Sequence, residues 1–209
     1  MLKLEDMRKL LEESLPPKRF DHSVLVYETA VKLAKRWGGS KEKVAVAALL
    51  HDCGREVPTR ESLAKAEELG LPVDYVERNQ PILLHAKLGV YYARHKYGVT
   101  DPEILDAIGQ HTTGAPQMTQ TSMIVYLADL LEPTRDFPGI ETLRELAKQD
   151  LERALFKAYS NTMTYLLEYG LLIHPSCVAA YNELAAQYKK EAMNAKLAAG
   201  GKTKKEEKA

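Results

Sequence analysis

The apolar run Val44-Ala-Val-Ala-Ala-Leu-Leu50 leads directly into His51-Asp52, and this junction constrains the fold more than any other feature of the chain. Ser40 precedes the run and Gly54 follows it. Serine accepts from the free N–H groups of a first turn and glycine breaks a last one, so the spacing predicts a helix from Lys41 to about Cys53. The run is the longest uninterrupted apolar stretch and is far shorter than a membrane span. A charged dyad directly after a buried run stands at the edge of the core. An unpaired carboxylate is costly there, so Asp52 needs a partner. A divalent metal is one such partner, and one carboxylate can serve two ions with one oxygen each.

Helical spacing recurs along nearly the whole chain. Val24, Leu25, Thr29 and Leu33 mark a helix that Gly38-Gly39 stops. A third pattern runs from about Pro81 to Lys96 and closes at Gly98. Asp101-Pro102-Glu103 starts a fourth, with Asp101 as N-cap and proline in the first turn, and it reaches Gln110. Thr121 to Glu132 is a fifth, ended by Pro133. After Phe137-Pro138-Gly139, helical patterns fill Glu141 to about Tyr169, and a last helix runs from Pro175 to about Leu197. No segment keeps a period of two with β-branched enrichment, so no sheet is expected. The acids spread through Met1 to Ser14 make that stretch an amphipathic helix and not a signal peptide. Ala198 to Ala209 has no apolar residue larger than alanine and reads as a disordered, charged tail. The expected organisation is an N-terminal amphipathic helix over 1–19, one all-α domain over 20–197 and the tail over 198–209. A chain of 209 residues suits one domain at about 150 residues each.

Lysine and arginine number 29, as do aspartate and glutamate, so the formal charge is zero. This excludes affinity for nucleic acid or an acidic membrane through a global basic field. A polyanionic ligand must then be met by local charge. The two cysteines, Cys53 and Cys177, make neither a disulfide framework nor a CxxC zinc pattern. A cytoplasmic protein is expected.

Candidate chemistry gathers at histidine and aspartate. His22 follows Asp21 at the opening of the first strong helix, and His85 lies in the largely apolar Ile82-Leu-Leu-His-Ala-Lys87. His111 ends the helix before Thr112-Thr113-Gly114, and Asp129 sits inside Ile124-Val-Tyr-Leu-Ala-Asp-Leu-Leu131. Four imidazoles and two carboxylates make a nitrogen and oxygen donor set without thiolate. Such a set suits iron, manganese and similar ions, with positions left open for water and substrate. Taken singly, each residue has a plainer reading: a histidine on an apolar face is a satisfied core residue, and Asp129 caps a neighbouring helix. The order of the set carries the functional reading.

The order His22…His51-Asp52…His85…His111…Asp129 resembles that of the HD-domain metal-dependent phosphohydrolases. The strings Leu49-Leu-His-Asp-Cys-Gly-Arg55, Leu84-His-Ala-Lys87, Gly109-Gln-His-Thr-Thr-Gly114 and Ala128-Asp-Leu-Leu-Glu-Pro-Thr-Arg-Asp-Phe-Pro-Gly139 resemble its YqeK branch of bacterial symmetrical dinucleoside tetraphosphatases. The likeness covers about Phe20 to Tyr188, without departure at the six ligand positions. It implies an all-α bundle with a dinuclear metal site between helices. It further implies two divalent ions, iron before manganese or cobalt, and cleavage of diadenosine tetraphosphate into two ADP. Carried over by residue, His22, His51, Asp52 and Asp129 would hold one ion, and Asp52, His85 and His111 the other. Asp52 would be the bridge, and a water between the ions the nucleophile. The resemblance is compatible with a homodimer, since the first and last helices could pair between chains or pack within one.

A polyphosphate also needs cations where charge develops on the leaving oxygen. Arg55, just past the dyad, is the first candidate, because its planar fork suits bidentate phosphate contact. Arg135 follows the Asp129 helix. Lys87 is two residues past His85 and would reach substrate only by its long stem. Thr112, Thr113 and Gly114 would offer hydroxyl and N–H donors to phosphate, or else form a helix stop. Glu132, one turn after Asp129, would support a ligand from behind or lie at the surface. His95 is expected among surface cations, His174 at the start of the last helix, and Cys53 as a small core hydrophobe. Two alternatives keep the site: hydrolysis of a nucleoside monophosphate or a guanosine polyphosphate, and a non-catalytic metal- or nucleotide-binding regulatory domain.

Overall fold

The computed structural model describes the backbone of residues 1–206 and the side chains of residues 1–194. Its helices are α1 (Leu4–Ser14), α2 (Pro17–Trp37), α3 (Lys41–Leu50), α4 (Thr59–Glu68), α5 (Tyr75–Asn79), α6 (Leu84–His95), α7 (Pro102–Gln110), α8 (Gln120–Leu131), α9 (Ile140–Gln149), α10 (Leu151–Glu168) and α11 (Pro175–Glu206). Two 3-10 turns, Cys53–Glu56 and Pro81–Leu83, precede α4 and α6. Among the described residues there is no strand, and no helix is long and apolar enough to cross a membrane. The all-α expectation therefore holds.

The centre of the bundle is α3. Every residue from Val44 to Leu50 is buried, against α2 on one side and α7 and α8 on the others. Ser40 caps this helix as expected, its Oγ accepting from Lys43 N at 3.3 Å. Lys43 then ties α3 to the start of α7, pairing with Asp101 at 2.9 Å and Glu103 at 2.8 Å. Thr121 adds α8 to the same knot by donating to Glu103 Oε1 at 2.6 Å. Burying a leucine side chain is worth about 1.5–3 kcal/mol. Truncating the fully buried Leu50 to alanine would therefore cost about 2–5 kcal/mol once the cavity is included.

The close approach of the turn Cys53–Glu56 to α6 depends on Gly54. A Cβ there would lie 2.5 Å from the Gly89 nitrogen and 3.0 Å from the His85 carbonyl carbon, and nearer still to its oxygen. All three obstacles are backbone, so a side chain has nowhere to turn. Glycine at this position seats the end of α3 on α6 and brings Asp52 beside His85.

Three departures from the sequence reading have local causes. The helical patterns expected from Glu141 to about Tyr169 divide at Asp150, which is extended (φ −156°) and whose carboxylate accepts from Arg153 N at 2.9 Å. Aspartate there acts as an N-cap, and no glycine or proline announces the break. The short helices α4 and α5 were not read at all. α4 buries only Ser62 and Ala66, and α5 is five residues long, started by a capping box between Asp74 and Glu77. The backbone of α11 continues past Leu197, whereas the side chains of the expected 198–209 tail lie outside the described residues. At the other end, α1 buries Met7 and Leu11 in the same core as α3, and Leu2 N donates to Tyr97 O at 3.1 Å.

Candidate metal centre

Five helix ends converge on one cleft: the start of α2 (His22), the end of α3 (His51-Asp52), the start of α6 (His85), the end of α7 (His111) and the end of α8 (Asp129). The four imidazoles form a row in the order His22, His51, His111, His85. Successive ring centroids stand 5.3, 4.9 and 4.9 Å apart, and neighbouring rings meet edge to face.

Each ring presents the same nitrogen to the cleft. His51 Nδ1 donates to the Ala48 carbonyl at 2.8 Å, His111 Nδ1 to the Ile108 carbonyl at 2.7 Å, and His85 Nδ1 to the Ile82 carbonyl. In every case the acceptor lies three residues earlier. A carbonyl can only accept, so Nδ1 holds the ring proton and Nε2 keeps a free lone pair. His22 Nδ1 faces Glu132 Oε1 at 3.4 Å, and its Nε2 stands 3.0 Å from Asp129 Oδ1. Backbone or carboxylate acceptors behind an imidazole are the usual supports of a metal-binding histidine.

Asp52 is buried below the row. Its Oδ1 lies 3.4 Å from His85 Nε2 and 3.7 Å from His111 Nε2, whereas Oδ2 lies 3.9 Å from His51 Nε2. The two oxygens thus face different imidazoles. The ligand atoms of His22, His51 and Asp129 form one group within 4.8 Å of one another, and those of His51, Asp52 and His111 form a second. His85 adjoins the second group, with Nε2 3.0 Å from His111 Nε2.

These residues fit a metal on chemical grounds. Among the described residues His51 Nε2 is buried without a hydrogen-bond partner, a state that costs about 1–3 kcal/mol. His85 Nε2 and His111 Nε2 face each other with two lone pairs. The Thr112 hydroxyl is 3.0 Å from both, and its single proton can serve only one. A cation would partner the orphaned His51 nitrogen, while the facing His85–His111 pair otherwise depends on Thr112 and on an Arg55 nitrogen 3.3 Å from His85 Nε2. Protonation is the poorer solution, since burial pushes His51 down to about 4 and His85 down to about 3. Burial alone would raise Asp52, but the imidazoles around it and the Arg55 guanidinium outweigh burial and hold the carboxyl well below its ordinary range. Asp129 is likewise held low against its burial by His22, His51 and Arg135. Neutral imidazoles and ionised carboxylates are the ligand-ready forms.

Three guanidiniums rim the cleft. Arg55 Nε donates to Asp52 Oδ1 at 2.7 Å, and another of its nitrogens is 3.3 Å from His85 Nε2. Arg135 donates to the Asp129 carbonyl at 2.8 Å and to the Asp129 carboxylate. Arg19 approaches Asp52 Oδ2 at 3.4 Å.

The profile of the HD domain matches residues 19–134, the stretch that contains all six of these side chains. The chain belongs to the HD-domain family. Its curated relatives include the symmetrical bis(5'-nucleosyl)-tetraphosphatases of Bacillus subtilis, 36% identical over 87% of this chain and 97% of the relative, and of Halalkalibacterium halodurans, 38% identical over 87% and 96%. A solved structure described as a predicted HD superfamily hydrolase involved in NAD metabolism, from Clostridium acetobutylicum, superposes with a TM-score of 0.85 at 33% identity. It covers 90% of this chain and 99% of that one. The chain is thus an HD hydrolase.

Outside its six central residues the HD domain sorts the remaining candidates. Thr112 faces the cleft. Thr113 donates locally to the Gly114 carbonyl at 3.2 Å. Gly114 closes the turn that follows α7 at φ +66°, its N–H on the Gln110 carbonyl at 2.8 Å, and a Cβ there would run into the Tyr159 ring. The helix-stop reading accounts for that pair. Lys87 is not brought to the site: its ammonium donates to Glu77 at 2.6 Å and to the Pro72 carbonyl at 2.8 Å. Glu132 is buried behind His22 and accepts from Thr134 N at 2.7 Å and Thr134 Oγ1 at 2.6 Å, so it is not a surface residue. Cys53 points away from the cleft, with Sγ on the Gly89 carbonyl at 3.3 Å, and its burial pushes the thiol up. His95 is exposed beside Tyr91, and His174 accepts from Ser176 N at 3.1 Å at the start of α11. Asp74, Glu77 and His174 form a third group of metal-capable atoms, but their partners are already matched in the α5 capping box, the Lys87 pair and the 2.7 Å contact of His174 with Asp74. Arg19 is the cleft residue that the sequence reading missed. Its signal was the spacing of three residues before His22, which sets both on one face of α2.

Proposed function

We propose that this chain hydrolyses diadenosine tetraphosphate symmetrically, giving two ADP, at a centre of two divalent ions, iron before manganese or cobalt. The observation that carries this reading is the buried Asp52, whose two oxygens face different members of a row of four imidazoles that all turn Nε2 into the cleft. His22, His51, Asp52 and Asp129 would hold one ion, and Asp52, His85 and His111 the other. Two divalent ions held there would supply an activated water, a grip on a phosphoryl oxygen and charge neutralisation. The names of the Bacillus and Halalkalibacterium relatives supply the substrate.

The protein's own share is orientation and charge. The Ala48, Ile82 and Ile108 carbonyls and Glu132 hold the four rings in place, so little reorganisation accompanies reaction. Arg55 and Arg135 present N–H donors to phosphate oxygens at the rim, and Thr112 adds a hydroxyl. In the balanced reaction one water oxygen bonds to an inner phosphorus. The central P–O–P bridge breaks on the far side, the departing ADP takes the electron pair, and the two water protons pass to solvent or to the new terminal phosphate oxygens of the two ADP molecules.

Product analysis tests the reading. Protein purified without oxygen and loaded with iron or manganese is given diadenosine tetraphosphate, and the nucleotides are separated. ADP as sole product is expected, with loss of turnover in His51→Ala and Asp52→Ala. ATP plus AMP, turnover only of other nucleotides, or wild-type rates in both variants would each overturn it.

A further inference from the structure

Arg19 has no assigned role, yet it occupies a telling place. It lies in the first turn of α2, on the face that carries His22. Its guanidinium approaches Asp52 Oδ2 while Arg55 holds Oδ1, so the two arginines engage different oxygens of one carboxylate. The three contacts differ in strength. Arg55 donates at 2.7 Å. Arg135 is anchored by the Asp129 backbone carbonyl as well as by the carboxylate. Among the described residues Arg19 has one polar partner, at 3.4 Å, and its side chain is 44% exposed while that of Asp52 is 3% exposed. Arg19 is therefore the outermost and the least committed of the three cations.

Charge counting gives the contact a direction. Three guanidiniums meet three carboxylates here, Asp52, Asp129 and Glu132. Divalent ions on Asp52 and Asp129 would leave the guanidiniums in excess. Arg135 would keep Glu132 and a backbone carbonyl, whereas Arg19 would have no anion left. Burial and the Arg55 guanidinium lower the Arg19 pKa, with Asp52 offsetting part of the effect, as expected of a cation already crowded by its own kind. Such a cleft favours an extended polyanion.

We infer that Arg19 is a phosphate-binding residue of this site, gripping the polyphosphate chain beside Asp52 Oδ2 while Arg55 stands at Oδ1. The inference rests on the proposed function for its substrate and on geometry for the residue. The competing role is structural: Arg19 would only neutralise Asp52. The two roles predict different measurements.

The test compares wild type, Arg19→Ala, Arg19→Lys and the exposed neighbour Lys18→Ala, all metal-loaded. Calorimetry measures ADP and inorganic tripolyphosphate affinity, and hydrolysis of diadenosine tetraphosphate gives kcat and KM. Arg19→Ala should weaken both anions and raise KM by about ten- to one-hundred-fold, the value of a charge-assisted hydrogen bond. Metal content and Tm should stay near wild type, lysine should restore part of the affinity, and Lys18→Ala should match wild type. Unchanged anion affinity in Arg19→Ala would overturn the inference while leaving the hydrolase reading intact. Lowered metal content with unchanged affinity would assign the structural role instead. If wild type fails to cleave the dinucleotide but binds tripolyphosphate in an Arg19-dependent way, the proposed function falls and the inference stands. No anion binding by wild type would overturn both.

Discussion

Replacing Gly54 with alanine should dismantle the candidate centre without touching a ligand. The new Cβ would stand 2.5 Å from the Gly89 nitrogen, and closer to the His85 carbonyl oxygen, where ordinary contact begins near 3.4 Å. The turn Cys53–Glu56 and α6 must then separate by about 1 Å, because both obstacles are backbone. Overpacking of this kind costs about 1–3 kcal/mol, and more when backbone must move. For a chain of this size each kcal/mol lowers Tm by about 2–4 °C, so a fall of about 2–12 °C is expected. Activity should fall further than stability. Asp52 is two residues before Gly54, and His85 carries the displaced carbonyl, so the 3.4 Å spacing between them opens directly. A misplacement of about 1 Å costs a reaction about 100-fold. Gly89→Ala is the internal comparison: its Cβ would meet Ile108 Cγ2 at 3.2 Å, a side-chain methyl that need give only a few tenths of an ångström, and should cost less on both counts. The assay is a melting curve, metal content and hydrolysis rate for each variant. Wild-type Tm and rate in Gly54→Ala would refute the claim that this contact sets the site.

Removal of metal by a chelator should lower Tm, because ions bound only by the folded chain stabilise it by about 2.7 kcal/mol at one hundred times Kd; a melting point indifferent to chelator and to added manganese would count against the centre. The metal-free protein should lose stability as pH falls from about 6.5. His51 and His85 stay neutral in the folded state down to about 4 and about 3, while the unfolded chain takes up those protons earlier. Their effect is absent above that range and grows through it, and a flat stability profile between pH 7 and 4 would contradict their burial. Lys87→Met should leave KM unchanged and lower stability by about 1–2 kcal/mol, since it strips the cation from the buried Glu77 while being itself partly exposed. A raised KM at unchanged Tm would return Lys87 to the substrate.

Much of this molecule is legible locally. The helix α3 announces itself by a serine cap and an apolar run, each acting within a few residues, but it ends at Leu50, short of the expected Cys53, and Gly54 sits inside the turn that follows instead of stopping it. The donor set is equally local, because an aspartate after a buried run and another inside an apolar helix demand partners wherever they end up. The break at Asp150 was hidden, since aspartate serves as helix surface or as N-cap with the same sequence and only the packing of α10 on α8 and α9 selects the second. Thr112 and Thr113 were equivalent on paper. They part only because the helix end at His111 turns one hydroxyl to the imidazoles and the other to its own backbone. The same limit explains the exchange of Lys87 for Arg19. Lys87 was expected to reach the site only by its long stem, and its ammonium finds Glu77 ten residues back, whereas Arg19 meets Asp52 across 33 positions. The sequence by itself determined which atoms can bind: nitrogen and oxygen donors, no thiolate, in helices with readable ends. The tertiary structure alone decided how they are shared, with the two oxygens of Asp52 turned to different imidazoles, because that depends on how closely α6 approaches the end of α3. That approach is set by contacts between distant backbone segments, to which local propensity and pattern are blind.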